Sequence, residues 1–462
     1  MTSNYIFFLG FLSSSLLFLS VYVRYKKAGS VICITDPFYI MIIFYFLYYV
    51  VGQFSRIRLD SFSGDVYIFV AFMVFLSTLI MFLATLVFDA RIITVSFSDK
   101  LRIHKESKRF IVAAFVCLLI GYLFWYLNYA RLGDISSILS SSYNRIDRNS
   151  KLTEMLGNLP YTHFMFAGYS FFLTAYLLKG RTISKSVAMS LILILPLIIF
   201  YIVEGERTAL LKYIIFSIFI ASFIKRNGNV FLRKKIILIG ILLFLVMAIL
   251  GNVRSGVLTF IGTGDATQIK EQFETKGIKM ILPKEFSAVN FTTNKFVNDV
   301  LNDEYDLQLG YSYFQSLPYL FPRSVYRALG MKKELTIADK FGEKVRIEIN
   351  RSRKMGFGMS GIAEAFANFH FIGIMIFPVF LLSIISLWRH IMNNSNSMFI
   401  VFLMITLTPI FVTIHRSAFA STFSYIAYVS FISFLAYWFS FILLKILSVQ
   451  DDKSNNKSNL KR

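Results

Sequence analysis

Apolar residues recur along the chain in blocks of about 17–25, separated by short polar stretches, and no block alternates residue by residue. A block of that length crosses roughly 30 Å of hydrocarbon as a helix, whereas barrel strands need short alternating segments. Eleven blocks fall at about 4–23, 37–53, 67–88, 110–127, 161–178, 187–203, 208–224, 236–253, 362–388, 397–414 and 420–444. They predict an all-α polytopic membrane protein, with Pro196, Pro378 and Pro409 bending three of the spans. No internal repeat and no pair of broken helices is visible in the pattern.

Two polar stretches are too long to be mere connections: 128–160, and 254–361, which is large enough to pack as a helical cap. Within the second, LPKEFSAVNFTTNKFVNDVL (282–301) places Phe286, Val289, Phe296, Val300 and Leu301 at helical spacings. That is an amphipathic helix, lying on the membrane, against the bundle or inside the cap. The chain therefore divides into eight helices within 1–253, a cap over 254–361, three helices within 362–446 and a tail at 447–462. The tail is polar and mixed in charge, a composition that predicts disorder.

Composition agrees: 56% of residues are hydrophobic, 16% are charged and mean hydropathy is +0.63, where a soluble domain is about a quarter charged. The net charge of +22 would suit nucleic acid if it formed one basic face. Instead it is scattered through short loops beside the apolar blocks, at 24–27, 89–109, 179–186 and 225–235, so no nucleic-acid partner is expected. Positive loops face the cytoplasm, which puts the N-terminus outside, the C-terminus inside and the cap outside. Cys33 and Cys117 are isolated, and no metal centre or cofactor follows from them.

That topology gathers charges from distant segments at one outer boundary. The turn YIVEGERTALL supplies Glu204, Glu206 and Arg207; GNVRSG supplies Arg254; TIHRSAFAS supplies His415 and Arg416; GMSGIAEAFANFHFIG supplies Glu364. Ionisable groups beside hydrocarbon are costly unless paired, so their convergence points to a site, although helix capping and headgroup anchoring explain Glu206 and Arg207 about as well. Guanidinium forks grip phosphate oxygens and keep their charge, which suits Arg207, Arg254 and Arg416 to a pyrophosphate. The cap adds Arg323 among aromatics in SLPYLFPRSVYRALG; no outer loop carries a DxD, and the nearest group of carboxylates, NDEYD (302–306), reads as a solvated turn rather than the metal site of a metal-dependent transferase.

Five stretches in chain order carry a resemblance: DPFYI (36–40), ERTALL (206–211), GYSYFQSLPYLFPRS (310–324), GMSGIAEAFANFHFIG (358–373) and HRSAFASTFSYI (415–426). Together the chain resembles the O-antigen and capsule repeat-unit polymerases, the Wzy-type family, over nearly its whole length. It departs at His370, where family members often have glycine after the Asn-Phe pair. The resemblance implies a GT-C-like fold in the bacterial inner membrane and an inverting, metal-independent glycosyltransferase. Its donor and acceptor would be polyprenyl-pyrophosphate-linked oligosaccharides, with membrane lipids, a chain-length regulator and a flippase as partners. Arg207, Arg254, Arg323 and Arg416 would then hold pyrophosphate. For the base that takes the acceptor proton, Glu364 and Glu206 rank first and His415 next. A ligase of the same superfamily is the nearest alternative. A lipid-linked sugar flippase is a more distant one, since it would need cations at mid-membrane depth.

Overall fold

A computed structural model describes residues 2–29, 36–54, 62–88, 100–129, 160–204, 207–226, 284–321, 323–331, 334–348 and 359–459, with isolated positions between 267 and 274. The block at 236–253 and residues 130–159 of the predicted loop at 128–160 lie outside the described residues. Every described element is helical. In chain order these are α1 (Thr2–Lys27), α2 (Pro37–Tyr45) continued by a π-helical stretch (Phe46–Val51) and α3 (Gly52–Phe54), α4 (Gly64–Val87), α5 (Lys100–Tyr129) and α6 (Tyr161–Leu178). Next come α7 (Ile183–Leu193), α8 (Leu195–Glu204), α9 (Arg207–Arg226), α10 (Lys284–Leu301), α11 (Tyr311–Phe314), α12 (Ser316–Tyr319) and α13 (Arg323–Ala328). The last are α14 (Ile337–Glu348), α15 (Gly361–Asn394), α16 (Met398–Leu407), α17 (Ile410–Thr413) and α18 (Phe419–Asn459).

Among the described residues, five helices are long and apolar enough to cross a membrane: α1, α4, α5, α15 and α18. Small residues let these helices approach closely. A Cβ at Gly121 of α5 would stand 2.7 Å from Met165 Sδ, and one at Gly168 of α6 would stand 2.7 Å from Leu118 Cγ. Two proline bends occur as expected. The helix breaks at Ile194 before Pro196, and α16 stops at Leu407 ahead of Pro409. Helical backbone also runs through 450–459, where composition predicted disorder; adding residues to an existing helix avoids the cost of nucleation.

At Pro378 the outcome differs. Pro378 sits inside uninterrupted helix, and the break in α15 lies at Phe369 (φ −138°, ψ 16°) and His370 (φ 53°, ψ −136°). These dihedrals reverse the chain, so the block at 362–388 is not a single pass. A first arm, 361–368, folds back alongside a second arm, 371–394. A Cβ at Gly361 would stand 2.5 Å from the Phe377 ring, and one at Gly373 would collide with the Ala365 carbonyl. Only glycine permits that approach. The second arm alone, at 1.5 Å per residue, is about 36 Å long. The positive φ of His370 is a backbone conformation that glycine adopts without strain.

One buried carboxylate fastens the end of the second arm. Asp36 caps α2, with Oδ1 accepting Phe38 N–H at 3.0 Å, while Oδ2 accepts Arg24 Nε at 3.2 Å and also Arg389 Nη2. It thereby joins α1, α2 and α15. Arg24, which the sequence placed among loop cations, and Arg389 are 3% and 6% exposed. Nearby, Lys27 Nζ donates to the terminal carbonyls of α4, at 3.1 Å to Thr85 and 3.3 Å to Phe88, where a cation is favoured.

The amphipathic segment forms α10. It packs on the α2 π stretch, α3, α4 and α15 through buried Val289, Phe296, Val297 and Val300. Phe296 also meets Phe341 of α14, and fully buried Asp299 accepts from Lys295 at 2.6 Å and Lys344 at 2.9 Å. The helix therefore bridges bundle and cap.

Two stability outcomes follow. Asp36→Asn keeps the cap but removes the charge shared by two buried guanidiniums, and should lower unfolding stability in detergent by about 3 kcal/mol or more. His370→Gly and His370→Ala both lose the imidazole, whose ring lies 4.6 Å from Phe366. Only glycine relieves the backbone, so thermal unfolding should find it about 1–3 kcal/mol more stable than alanine.

Candidate functional site

The reversal in α15 creates helix ends inside the bundle, and these need partners. At the start of the first arm, Ser360 accepts Ala363 N–H at 3.1 Å and pairs with Thr293 of α10 at 2.8 Å. At its far end Ala367 C=O accepts the Gln308 backbone N–H of the cap at 2.9 Å. The arm is thus held by the cap at one end and by α10 at the other.

Glu364 lies in the middle of this arm, 1% exposed. Its carboxylate binds two further elements. Oε1 accepts Ser312 Oγ–H of α11 at 2.8 Å, and Oε2 accepts the Phe419 backbone N–H at 2.6 Å. Phe419 opens α18, whose first N–H groups have no partner within the helix, so the carboxylate caps α18 from another element at its positive end. Asn368 Nδ2 donates to Ser312 Oγ at 2.7 Å and to the Glu364 carbonyl at 2.8 Å.

Beside this carboxylate is a cavity of about 290 Å³, walled chiefly by Tyr313, Phe369, Phe377, Phe380 and Phe419. Ile414 and Ser417, from the turn between α17 and α18, complete one edge. Tyr313 brings a phenol to this wall, and burial beside Glu364 pushes its pKa well above the ordinary value, keeping it neutral. An apolar cavity with one carboxylate at its wall can hold an apolar or ring-shaped group against a proton acceptor.

The other sequence candidates are placed as follows. Arg416 sits half-buried in the turn 414–417, three residues before Phe419, so the structure brings it and Glu364 to the same end of α18. His415 is fully buried beside it and is not part of the cavity wall. Its ring meets the edges of Tyr45 at 5.9 Å and Tyr49 at 5.6 Å, and its carbonyl accepts Tyr49 O–H at 3.1 Å. Burial lowers its pKa to about 3, against an opposing backbone hydrogen bond at Met41, so the imidazole is neutral near pH 7. Arg207 opens α9 and Arg323 opens α13, their side chains lying outside the description, while Glu206 and Arg254 lie outside the described residues. Lys212, which composition would let snorkel to the interface, holds its ammonium 4.0 Å over the Tyr425 ring.

Two polar residues of the site have no role in the sequence reading: Ser312 and Asn368. Both fall within stretches that carry the family resemblance, GYSYFQSLPYLFPRS and GMSGIAEAFANFHFIG, yet a lone serine and a lone asparagine have no signature of their own. No curated protein and no solved structure matches the chain. The family model O-antigen polysaccharide polymerase Wzy matches residues 1–447, and with nearly the whole chain covered, the protein belongs to that family.

Proposed function

We propose that this protein is the glycosyltransferase that joins lipid-linked oligosaccharide repeats, moving the growing glycan from its polyprenyl pyrophosphate onto a sugar hydroxyl of an incoming lipid-linked repeat. The observation that carries the reading is Glu364, a buried carboxylate gripped by the cap, a reversed helical arm and the start of α18. A polyprenyl tail has to stay in lipid while its sugar reaches a base, and a carboxylate at the wall of an apolar cavity meets both demands.

In this mechanism Glu364 takes the acceptor hydroxyl proton as the oxygen attacks the anomeric carbon of the donor. The new C–O bond forms on the face opposite the leaving group, which inverts the anomeric centre. The old C–O bond breaks, and its electron pair leaves on the pyrophosphate. Charge developing there needs fixed cations, and Arg416, in the turn just before the Phe419 N–H that Glu364 accepts, is the first candidate, joined by Arg207, Arg254 and Arg323. Glu206 is the alternative base. His415, walled in by Tyr45 and Tyr49, serves to hold the turn that carries Arg416. No metal takes part. The protein works in the bacterial inner membrane with the N-terminus and cap on the outer side and the C-terminus in the cytoplasm. It receives substrate from a flippase and acts alongside a chain-length regulator.

Full-length protein in liposomes, fed only lipid-linked repeat extracted from cells lacking it, should build a ladder of longer lipid-linked glycans. Transfer that appears only when a different lipid acceptor is added would make it a ligase instead. In the same assay Glu364→Gln should reduce turnover by about 10²–10⁴-fold, the range of a lost general base. Arg416→Lys keeps charge but loses the fork, and should cost about 10–100-fold. Normal ladders from a stably inserted Glu364→Gln protein would remove Glu364 as the base.

A further inference from the structure

The Glu364 carboxylate does not choose its own geometry. Its Oε1 donor, Ser312, belongs to the cap, and a serine hydroxyl can rotate among three staggered positions. One of its neighbours removes that freedom. Asn368 Nδ2 donates to Ser312 Oγ at 2.7 Å, so an Oγ lone pair is already occupied and the hydroxyl hydrogen is left to point at Glu364 Oε1, 2.8 Å away. Asn368 is itself held, because the same Nδ2 donates to the Glu364 carbonyl one helical turn back at 2.8 Å. All three side chains are buried, Glu364 at 1% exposure, Ser312 at 2% and Asn368 at 0%.

The cap segment that carries Ser312 is docked where the reversed arm ends. The reversal at Phe369 and His370 leaves the last carbonyls of that arm without helical partners, and Gln308 N–H takes the one at Ala367 at 2.9 Å. Tyr313 then stacks on Phe369 with ring centroids 6.2 Å apart. These contacts bracket Ser312 on both sides in sequence, so docking the cap is what delivers its hydroxyl to the carboxylate.

We propose that Ser312 and Asn368 are positioning residues for the reaction, a relay in which Asn368 orients the Ser312 hydroxyl and Ser312 orients Glu364, assembled only when the cap is seated on the reversed arm. This rests on Glu364 being the base. The rotation it restrains is the one that would swing the carboxylate away from an acceptor hydroxyl. Phe419 N–H fixes one oxygen and the relay fixes the other, so their loss should change the rate of the chemical step more than the binding of substrate.

The test uses full-length protein in liposomes, with lipid-linked repeat extracted from cells lacking the protein as substrate. Ser312→Thr and Ser312→Val have nearly the same shape and differ by one hydroxyl. Valine should lower kcat about 10–100-fold with KM within about twofold, and threonine should restore most of the loss. Asn368→Leu, which leaves the hydroxyl in place but unoriented, should lower kcat about tenfold. Equal turnover in the threonine and valine variants, or normal turnover in Asn368→Leu, would overturn the relay. Where the branched variants fail to insert, Ser312→Ala removes the hydroxyl without adding bulk and is held to the valine criterion. An inactive Glu364→Gln beside a fully active Ser312→Ala would sink the relay alone, whereas an active Glu364→Gln would sink the base assignment beneath it.

Discussion

A carboxylate buried among helices that read as membrane-spanning is stable only if every oxygen has a donor, and Glu364 imposes that requirement on three elements at once. Removing such a group from water costs several kcal/mol, which its bonds must offset. The donors come from the cap (Ser312), from the opening backbone of α18 (Phe419) and, through Asn368, from its own arm. The Phe419 N–H donor is itself an orphan of a helix start, and the arm's Ala367 carbonyl, an orphan of a helix end, accepts Gln308 N–H. One interaction therefore settles the placement of the cap, the reversed arm and the last long helix together.

Two carboxylates hold the reversed helix α15, Glu364 in its first arm and Asp36 at the end of its second, in different ways. At the cap end, Glu364 is bound by uncharged donors and sits at a cavity wall. At the other end, Asp36 is clasped by Arg24 and Arg389. Ion pairing of the second kind holds α1, α2 and α15 in register. Neutral donors of the first kind restrain a carboxylate without cancelling its charge, and that is the condition a proton acceptor needs.

Helical blocks were legible in the sequence because hydrophobic length is a direct consequence of hydrocarbon thickness, and ten of the eleven blocks coincide with described helix. Glu364 was legible too, because a lone acid at the head of an apolar run is conspicuous. The reversal of α15 was not. Proline attracts attention as a breaker, yet Pro378 sits within helix while the chain turns at Phe369 and His370, two residues with no breaking reputation. The turn is dictated by tertiary contacts: Gly373 against Ala365, Gln308 on the Ala367 carbonyl, and Tyr313 on Phe369. Ser312 and Asn368 were invisible as chemistry for a related reason. Their roles exist only once segments more than fifty positions apart are adjacent.

The reversed arm also bears on which reaction class the fold suits. Irregular backbone at membrane depth is tolerated where it is buried in protein or lines a cavity. Here Phe369 lines the cavity, and Glu364 lies about five residues, or roughly 7 Å, back from the turn. A carrier that shuttles a sugar across the bilayer would need such a feature reachable from both sides. This one is closed on the cap side by Ser312 and Tyr313 and flanked by α18 at Phe419. The apolar cavity meets the Glu364 carboxylate at its wall. The proposed joining of two lipid-linked glycans would use a carboxylate held in one orientation beside an apolar cavity, whereas transport of one would use neither the base nor its fixed orientation.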